Sequence, residues 1–488
     1  MAASSGGARR RWSMALCYQF LKSWMSLFPC ARIVRSADLP GYKTTSSATV
    51  TATRPSMPAG FGLPVFHARG GLAALLAACQ VRARQVHPSQ SHADIARQLR
   101  PATPAFIVNL STVLAKVGAW AHLLPRVRPY YAYKCNDDPV LCTLLQQAGA
   151  GFDCASLPEI QQCLALGASP ADIIYANTQK DPGMLAAAAG LRVPVTTVDT
   201  ADEVRKIRDR APGMRVLLRI AVDDSGAVCR FSSKFGAYEP EWAHIMDTAR
   251  ACGVQLAGVS FHTGSGASGP VAFFSAIEQA RAAFDAGAAH GFAFDTLDIG
   301  GGFPGHDRGV FSFADVANAV ALGLETHFPD PGVEVVAEPG RFFVEESHVY
   351  ALQVIGTRAL QPQQLRDAAE IELPSASAPG DEADSERALF LNDGLYGCLN
   401  NVVFDHHKLA LAGVVSAHAA EPAVRTKLFG PTCDSIDVVH RGFALPPLAV
   451  GDMLLLRDMG AYTRSAASRF NGFGGYQFEY VVETASRP

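Results

Sequence analysis

Four short stretches of the sequence carry side chains whose types and spacing could do chemistry together. The first, "YYAYKCNDDPVL" (130–141), ends an aromatic run on Lys134. A lysine amine held in apolar surroundings loses proton affinity and becomes a nucleophile able to form a Schiff base. Tyr130, Tyr131 and Tyr133 are expected to supply those surroundings. The second, "DIGGGFPG", removes every side chain at Gly300, Gly301 and Gly302 and so offers backbone N–H donors to an anion, a phosphate carried by the aldehyde partner. The third, "AEPGRFF", adds a glycine turn at Gly340 with the Arg341 fork beside it. Just before that turn stands Glu338, a carboxylate able to hold a pyridine nitrogen protonated and make the ring an electron sink. The fourth, "GVSFH", ends on His262, placed to stack on such a ring. Any one of these alone is accounted for by a capped turn or a satisfied core histidine; their convergence is what argues for a site.

The elements that must position them obey one grammar. From about residue 129, short β-branched or aromatic runs alternate with polar turns and helical spacing: "YYAYK" (130–134), "GFDCA" (151–155), "IIYAN" (173–177), "VTTVD" (195–199), "VLLRIA" (216–221), "GVSFH" (258–262), "LDIG" (297–300) and "VVAE" (335–338). Helical spacing is clear over 270–292 and 313–328. Strand alternating with helix implies a parallel sheet covered by helices, and eight such strands suit a closed (β/α)8 barrel, with an open doubly wound sheet as the competitor. In a parallel barrel the strand C-termini share one rim, which would gather Lys134, Asp153, Asn177, Arg219, His262 and the two glycine loops. An earlier strand, "AFIVNL" (105–110), is left over and is free to belong elsewhere. After residue 345 the runs "HVYALQVIGTRAL", "RALFLNDGLYG", "DMLLLRDMGAYT" and "QFEYVVET" read as strands without helices between them, so a second, all-β domain is expected. The acidic stretch 375–387 between them reads as a mobile loop.

The whole composition bounds the function. At 488 residues the chain needs two or more folded units, and a formal net charge of -3 gives no electrostatic case for a nucleic-acid binder. No apolar run reaches the roughly 20 residues of a membrane span; "GLAALLAAC" (71–79) is too short. Eleven cysteines, an odd number with no C-x-x-C pair, argue for a reducing compartment and against a disulfide framework or a metal site. Residues 1–60 carry eight Lys or Arg against the single acid Asp38 and are rich in Ser and Thr, which fits either a transit peptide to a plastid or mitochondrion or a basic extension of a cytoplasmic protein.

Taken in order from about residue 100 to 485, "YAYKCNDDPVL", "GFDCASLPEI", "IIYANTQK", "GVSFHTGSG", "LDIGGGFPG", "AEPGRFF", "LNDGLYGCLNN", "FDHH", "GPTCDSID" and "MGAYTRSAASRFNGF" resemble the eukaryotic ornithine decarboxylases, pyridoxal-phosphate enzymes of the alanine-racemase-like fold. The resemblance implies a barrel over 110–345, a β domain over 346–488 completed by the N-terminal segment 61–109, and a homodimer with shared active sites. It implies that Lys134 bonds the cofactor aldehyde, Glu338 partners the ring nitrogen and His262 stacks on the ring. Ser265, Gly300, Gly301, Gly302, Gly340, Arg341 and Tyr462 match the phosphate cradle and its surroundings, while Asp153 and Arg219 lie beside the cofactor. Cys433 matches the proton donor and Asp434 a substrate carboxylate, both contributed by the neighbouring subunit, with Asp405 as the second substrate carboxylate.

The substrate this implies is L-ornithine, decarboxylated to putrescine, since two short carboxylates suit a compact ammonium better than a planar guanidinium. Lysine or arginine decarboxylation, and a non-catalytic regulator resembling the antizyme inhibitors, are the alternatives. The resemblance also makes an antizyme-like inhibitor a candidate protein partner. The sequence departs from the family pattern at Phe404, where a tyrosine is usual, and at "YANTQK", where a proline and cysteine are common; it keeps Lys234, and the long degradation tail of vertebrate enzymes has no counterpart after "VVETASRP".

Overall fold

A computed structural model of the chain describes residues 83–99, 103–361 and 387–483. The basic extension 1–60 and nearly all of the acidic stretch 375–387 lie outside the described residues. Two strands precede the barrel, β1 (Arg84–Val86) and β2 (Ala105–Asn109). Eight parallel strands then close on themselves: β3 (Val127–Ala132), β4 (Gly151–Cys154), β5 (Ile173–Tyr175), β6 (Val195–Val198), β7 (Arg215–Arg219), β8 (Leu256–Ser260), β9 (Thr296–Asp298) and β10 (Glu334–Ala337), with β10 pairing back to β3. All eight are the runs singled out in the sequence, and the competing open sheet is excluded by the closure. Each strand is buried on both faces, as parallel strands wrapped by helices must be.

Local chemistry starts several of the covering helices. Asp138 caps Pro139–Gln147 by accepting from Val140 N–H at 2.8 Å, and Asp181 caps Pro182–Gly190 by accepting from Gly183 and Met184 N–H at 2.8 and 2.9 Å, each with proline at the first helical position, where no N–H is missed. The helix Pro270–Ala289 buries Phe273, Ala276, Ile277, Ala280, Ala283, Phe284 and Gly287, one stripe at 3.6-residue spacing, against the barrel wall.

The second unit is a nine-stranded sheet built on the 12-residue strand β11 (His348–Ala359). β11 pairs antiparallel with β2 and with β16 (Met453–Arg457) through its first half, and with β12 (Arg387–Leu391) through its second. The leftover strand β2 thus belongs to the β domain, lying between β11 and the last strand, β17 (Gln477–Glu483). Four strands of this sheet were not singled out in the sequence: the three-residue β1, β13 (Ala410–Val415), β14 (Val424–Phe429) and β15 (Val438–Leu445). β13 is Ala- and Gly-containing and only half-buried, and the β14–β15 pairing is twice broken by register shifts, so neither presents a clean period of two. A four-residue helix, Asn401–Phe404, also interrupts the expected all-strand region. Among the described residues no helix is long and apolar enough to cross a membrane.

Candidate active site

The rim of the barrel is where the two units meet. β3 ends at Ala132 and turns at once into the 3-10 turn Tyr133–Cys135 that carries Lys134. The turn is held from several sides. Tyr131 Oη donates to Asn136 O (2.9 Å), Tyr133 Oη to Gln162 Oε1 (2.7 Å) and Asn136 Nδ2 to Gly460 O (2.8 Å), while Tyr462 N–H donates to Cys135 O (2.8 Å). The tyrosines therefore pin the turn with their hydroxyls rather than merely surrounding the amine. Gly340 packs against the same turn: a Cβ there would lie 2.8 Å from Cys135 Cβ.

Lys134 is not in apolar surroundings, which corrects the sequence expectation. Its Nζ donates to Asp153 Oδ2 at 2.6 Å, and 40% of its side chain is open to solvent while Asp153 is fully buried. Burial alone would lower the proton affinity of Lys134, but the charges of Asp153 and Glu338 outweigh it, so the amine is held as an ammonium with its pKa raised. Activating it requires the proton to leave or the charge to be redistributed, and neighbouring carboxyls are the groups present to receive it.

Those carboxyls are crowded. Glu338 comes directly after β10, and burial, then the charges of Asp298 and Asp153, push its pKa well above the ordinary range. Asp298, on β9, is pushed up to about 7 by burial, even though its Oδ1 accepts from Gly300 N–H at 2.9 Å. Like charges this close cannot both ionise, so one of the pair keeps a proton at neutral pH. Asp298 was not among the residues singled out; an aspartate inside the apolar run "TLDIG" was the available signal. Among the described residues, three buried side-chain oxygens on the barrel strands, Asp153 Oδ1, Thr197 Oγ1 and Ser260 Oγ, have no hydrogen-bond partner.

The glycine run is explained first by packing. Gly300 (φ +60°) could carry no Cβ, which would sit 2.1 Å from Phe261 O, and a Cβ on Gly302 (φ +109°) would meet Thr263 Oγ1 at 2.5 Å. The loop leans on the Glu338 turn, whose N–H donates to Gly300 O at 2.7 Å. Because Gly300 N–H is engaged by Asp298, it is not an anion donor, contrary to expectation; the N–H groups of Gly301 and Gly302 enter no hydrogen bond among the described residues. His262 faces Gly301, whose Cβ would lie 2.8 Å from the imidazole Nε2. Its Nδ1 accepts from Gly264 N–H (3.0 Å), and burial, reinforced by the charges of Arg219 and Lys134, drives its pKa well below the ordinary value. The ring is therefore neutral with its proton on Nε2. Arg219 stands over Phe235 at 5.1 Å. Asn177, by contrast, only shapes its turn, donating to Ala155 O and accepting from Gln179 N–H.

Arg341 joins residues expected to do different jobs. Its Nη2 donates to Ser265 Oγ (3.0 Å) and to both carboxylate oxygens of Asp405 (2.6 and 2.8 Å), its Nη1 to Glu345 Oε1 (2.7 Å), and its guanidinium lies over Tyr462 at 5.2 Å. Ser265, Arg341 and Tyr462 thus converge as expected, but Asp405 is an ion-pair partner of Arg341, the arginine expected to bind an anion, rather than a free carboxylate. Cys433 and Asp434 lie elsewhere, on the β14–β15 connection, with Cys433 exposed; their hydrogen bonds go to Asn471, Tyr396 and Ile436, not to the barrel.

A barrel rim that sets a lysine beside a buried carboxylate, a neutral histidine, a carboxyl pair sharing a proton and an arginine with two free loop amides defines a class of enzyme, one that holds a phosphate-bearing aldehyde cofactor by its lysine. Pyridoxal phosphate fits these residues: an amine, an anion cradle without side chains, and a protonated carboxyl pair for a basic ring nitrogen. Residues 110–345 match the family of the pyridoxal-dependent decarboxylases, pyridoxal binding domain. The chain is 40% identical over 385 residues to the ornithine decarboxylase of Schizosaccharomyces pombe, covering 77% of this chain and 83% of that one. It is 36% identical to antizyme inhibitor 2 of Xenopus laevis, covering 78% and 81%. The arginine decarboxylase of Paramecium bursaria Chlorella virus, solved with agmatine, superposes with a TM-score of 0.71 at 33% identity, covering 80% of this chain and 98% of that one. The chain belongs to the pyridoxal-dependent decarboxylases.

Proposed function

We propose that the chain decarboxylates L-ornithine to putrescine and carbon dioxide, the first step of polyamine biosynthesis. The observation that carries this reading is the retention, at one rim, of Lys134 paired to Asp153 at 2.6 Å with Glu338, His262 and Arg341 around it, in a chain 40% identical to an ornithine decarboxylase. Lys134, Asp153, Glu338, His262, Ser265, Gly301, Gly302, Arg341 and Tyr462 would hold the cofactor. When bound, pyridoxal phosphate supplies an aldehyde carbon to bond amines and a protonated ring that takes up the electron pair left by carbon dioxide.

The chain's own residues do the rest. Lys134 would pass its proton to Asp153 and, as the free amine, would displace the product amine, which would leave carrying a proton. The Glu338–Asp298 pair, both acids raised by burial, would keep a proton available to the ring nitrogen of the bound cofactor. Neutral His262 would lie against the cofactor ring without adding a charge that competes with its protonation. Cys433 gives its proton to the α-carbon, and Asp405 with Asp434 receives the distal ammonium. The exposed position of Cys433, with the half-buried Asp434 beside it and both bonded away from their own chain's rim, supports their service in a partner subunit of a homodimer. The eight free cysteines among the described residues favour a reducing compartment such as the cytoplasm.

Carbon dioxide release from L-ornithine, L-lysine and L-arginine by the purified protein tests the reading. Ornithine is expected to give the highest kcat/KM, exceeding lysine by about tenfold or more, the discrimination available from one methylene. A preference for lysine or arginine would overturn the substrate, and a protein with no turnover on any of them would promote the regulatory alternative.

A further inference from the structure

Cys433 and Asp434 are presented by a small platform whose other parts come from two separate loops. Asn471 Oδ1 accepts from Cys433 N–H at 3.1 Å and from the thiol Sγ at 3.2 Å. Tyr396 Oη donates to Asp434 Oδ2 at 2.6 Å, and Ile436 N–H donates to its Oδ1 at 3.1 Å. The two supporting residues are themselves joined. The Tyr396 ring packs on Phe470 with centroids 4.4 Å apart, and Ser468 donates to Tyr396 O from both its N–H (2.8 Å) and its hydroxyl (2.9 Å). Asn471 sits at φ 52°, ψ 17°, a left-handed conformation that asparagine tolerates better than most residues, and that conformation breaks the local 3-10 turn.

We propose that Tyr396 and Asn471 are the positioning residues of the Cys433–Asp434 pair, Asn471 holding the thiol as a proton donor in one orientation and Tyr396 holding the carboxylate ready for an ammonium. The proposal rests on the roles given to Cys433 and Asp434 above. An amide oxygen only accepts, so it orders an S–H without removing the proton, which a neighbouring histidine or carboxylate base would do. The S–H bond then breaks toward the α-carbon, whose electron pair forms the new C–H bond, and the thiolate regains its proton from solvent. On the Asp434 side, a phenol donor and a backbone amide favour the charged carboxylate, and its pKa is lowered by Tyr396 first and Ile436 second.

The test is the rate of Cys433 alkylation by iodoacetamide across pH, read by peptide mass, in the full-length protein and its variants. Asn471→Leu is expected to speed alkylation at neutral pH by about three- to tenfold, because the acceptor that holds the S–H in one orientation is gone. Asn471→Asp, which keeps the shape and sets a carboxylate beside the sulfur, is expected to slow it. Tyr396→Phe is expected to leave the Cys433 profile in place and to raise KM for the diamino acid about tenfold with kcat changed by less than about threefold. Profiles of both Asn471 variants superimposing on the parent protein would overturn the Asn471 half, and a Tyr396→Phe protein with unchanged KM the other. Alkylation needs no turnover, so an unmoved profile in an active decarboxylase defeats only the positioning, whereas a shifted profile in an inactive protein defeats only the function.

Discussion

At the scale of single residues the site is governed by charge crowding. Asp298 has its pKa pushed up to about 7 from 3.8, so the folded state binds a proton that the unfolded chain has already released between these values. The sign is that of a raised acid: the folded protein loses stability as pH rises from about 4 to about 7 and carries the full cost above that. Asp298→Asn keeps an oxygen acceptor for Gly300 N–H and is expected to stabilise the cofactor-free protein above pH 7 by up to about 4 kcal/mol, with little effect near pH 4. Melting temperature against pH checks this, and a difference independent of pH would contradict it. Arg341 gives a second case. Its Nη2 is shared by Asp405 and Ser265, so an incoming phosphate must compete with Asp405. Asp405→Asn is therefore expected to tighten inorganic phosphate binding to the cofactor-free protein by about three- to tenfold, by calorimetry, while weakening any diamine. Weaker phosphate binding in the variant would mean that Asp405 orients the arginine instead.

At the scale of elements, the strand ends were legible in the sequence because each rim residue closes a β-branched or aromatic run, and the eight runs recur with helical spacing between them. The surroundings of those residues were not legible. Lys134 reads as enclosed by tyrosines because they neighbour it in the chain, whereas Tyr131 and Tyr133 spend their hydroxyls on Asn136 O and Gln162 and the next strand brings Asp153 to the amine. Partnerships across elements, such as Arg341 with Asp405 or Asn471 with Cys433, leave no local pattern at all. The glycines did show themselves, though for a different reason from the one expected: they are required by close backbone packing before they can serve an anion. Gly300→Ala would force a Cβ to 2.1 Å from Phe261 O at φ +60°. It is expected to cost on the order of 3 kcal/mol or more and to lose cofactor retention together with melting temperature. A variant of normal stability that binds cofactor would refute this account of the loop.

At the scale of the whole molecule, the barrel provides the rim, and the β domain brings Tyr462 and Asp405 to Arg341 and carries the Cys433–Asp434 platform away from it. The proposed service of Cys433 and Asp434 in a second copy of the chain predicts active sites drawn from two subunits. Mixing Lys134→Ala with Cys433→Ala protein is then expected to restore about a quarter of parental activity, because half the dimers are mixed and each mixed dimer has one intact site of two. Mixtures that stay as inactive as their parts would place all catalytic groups in one chain. The central claim remains that the amine of Lys134 is the group that bonds the cofactor. The most direct measurement is the visible spectrum of the purified holoenzyme before and after borohydride, and then peptide mass analysis. An absorbance band that disappears on reduction, with the added mass on the peptide containing Lys134, is the expected result. A colourless protein, or an adduct on another lysine such as Lys116 or Lys180, would contradict it.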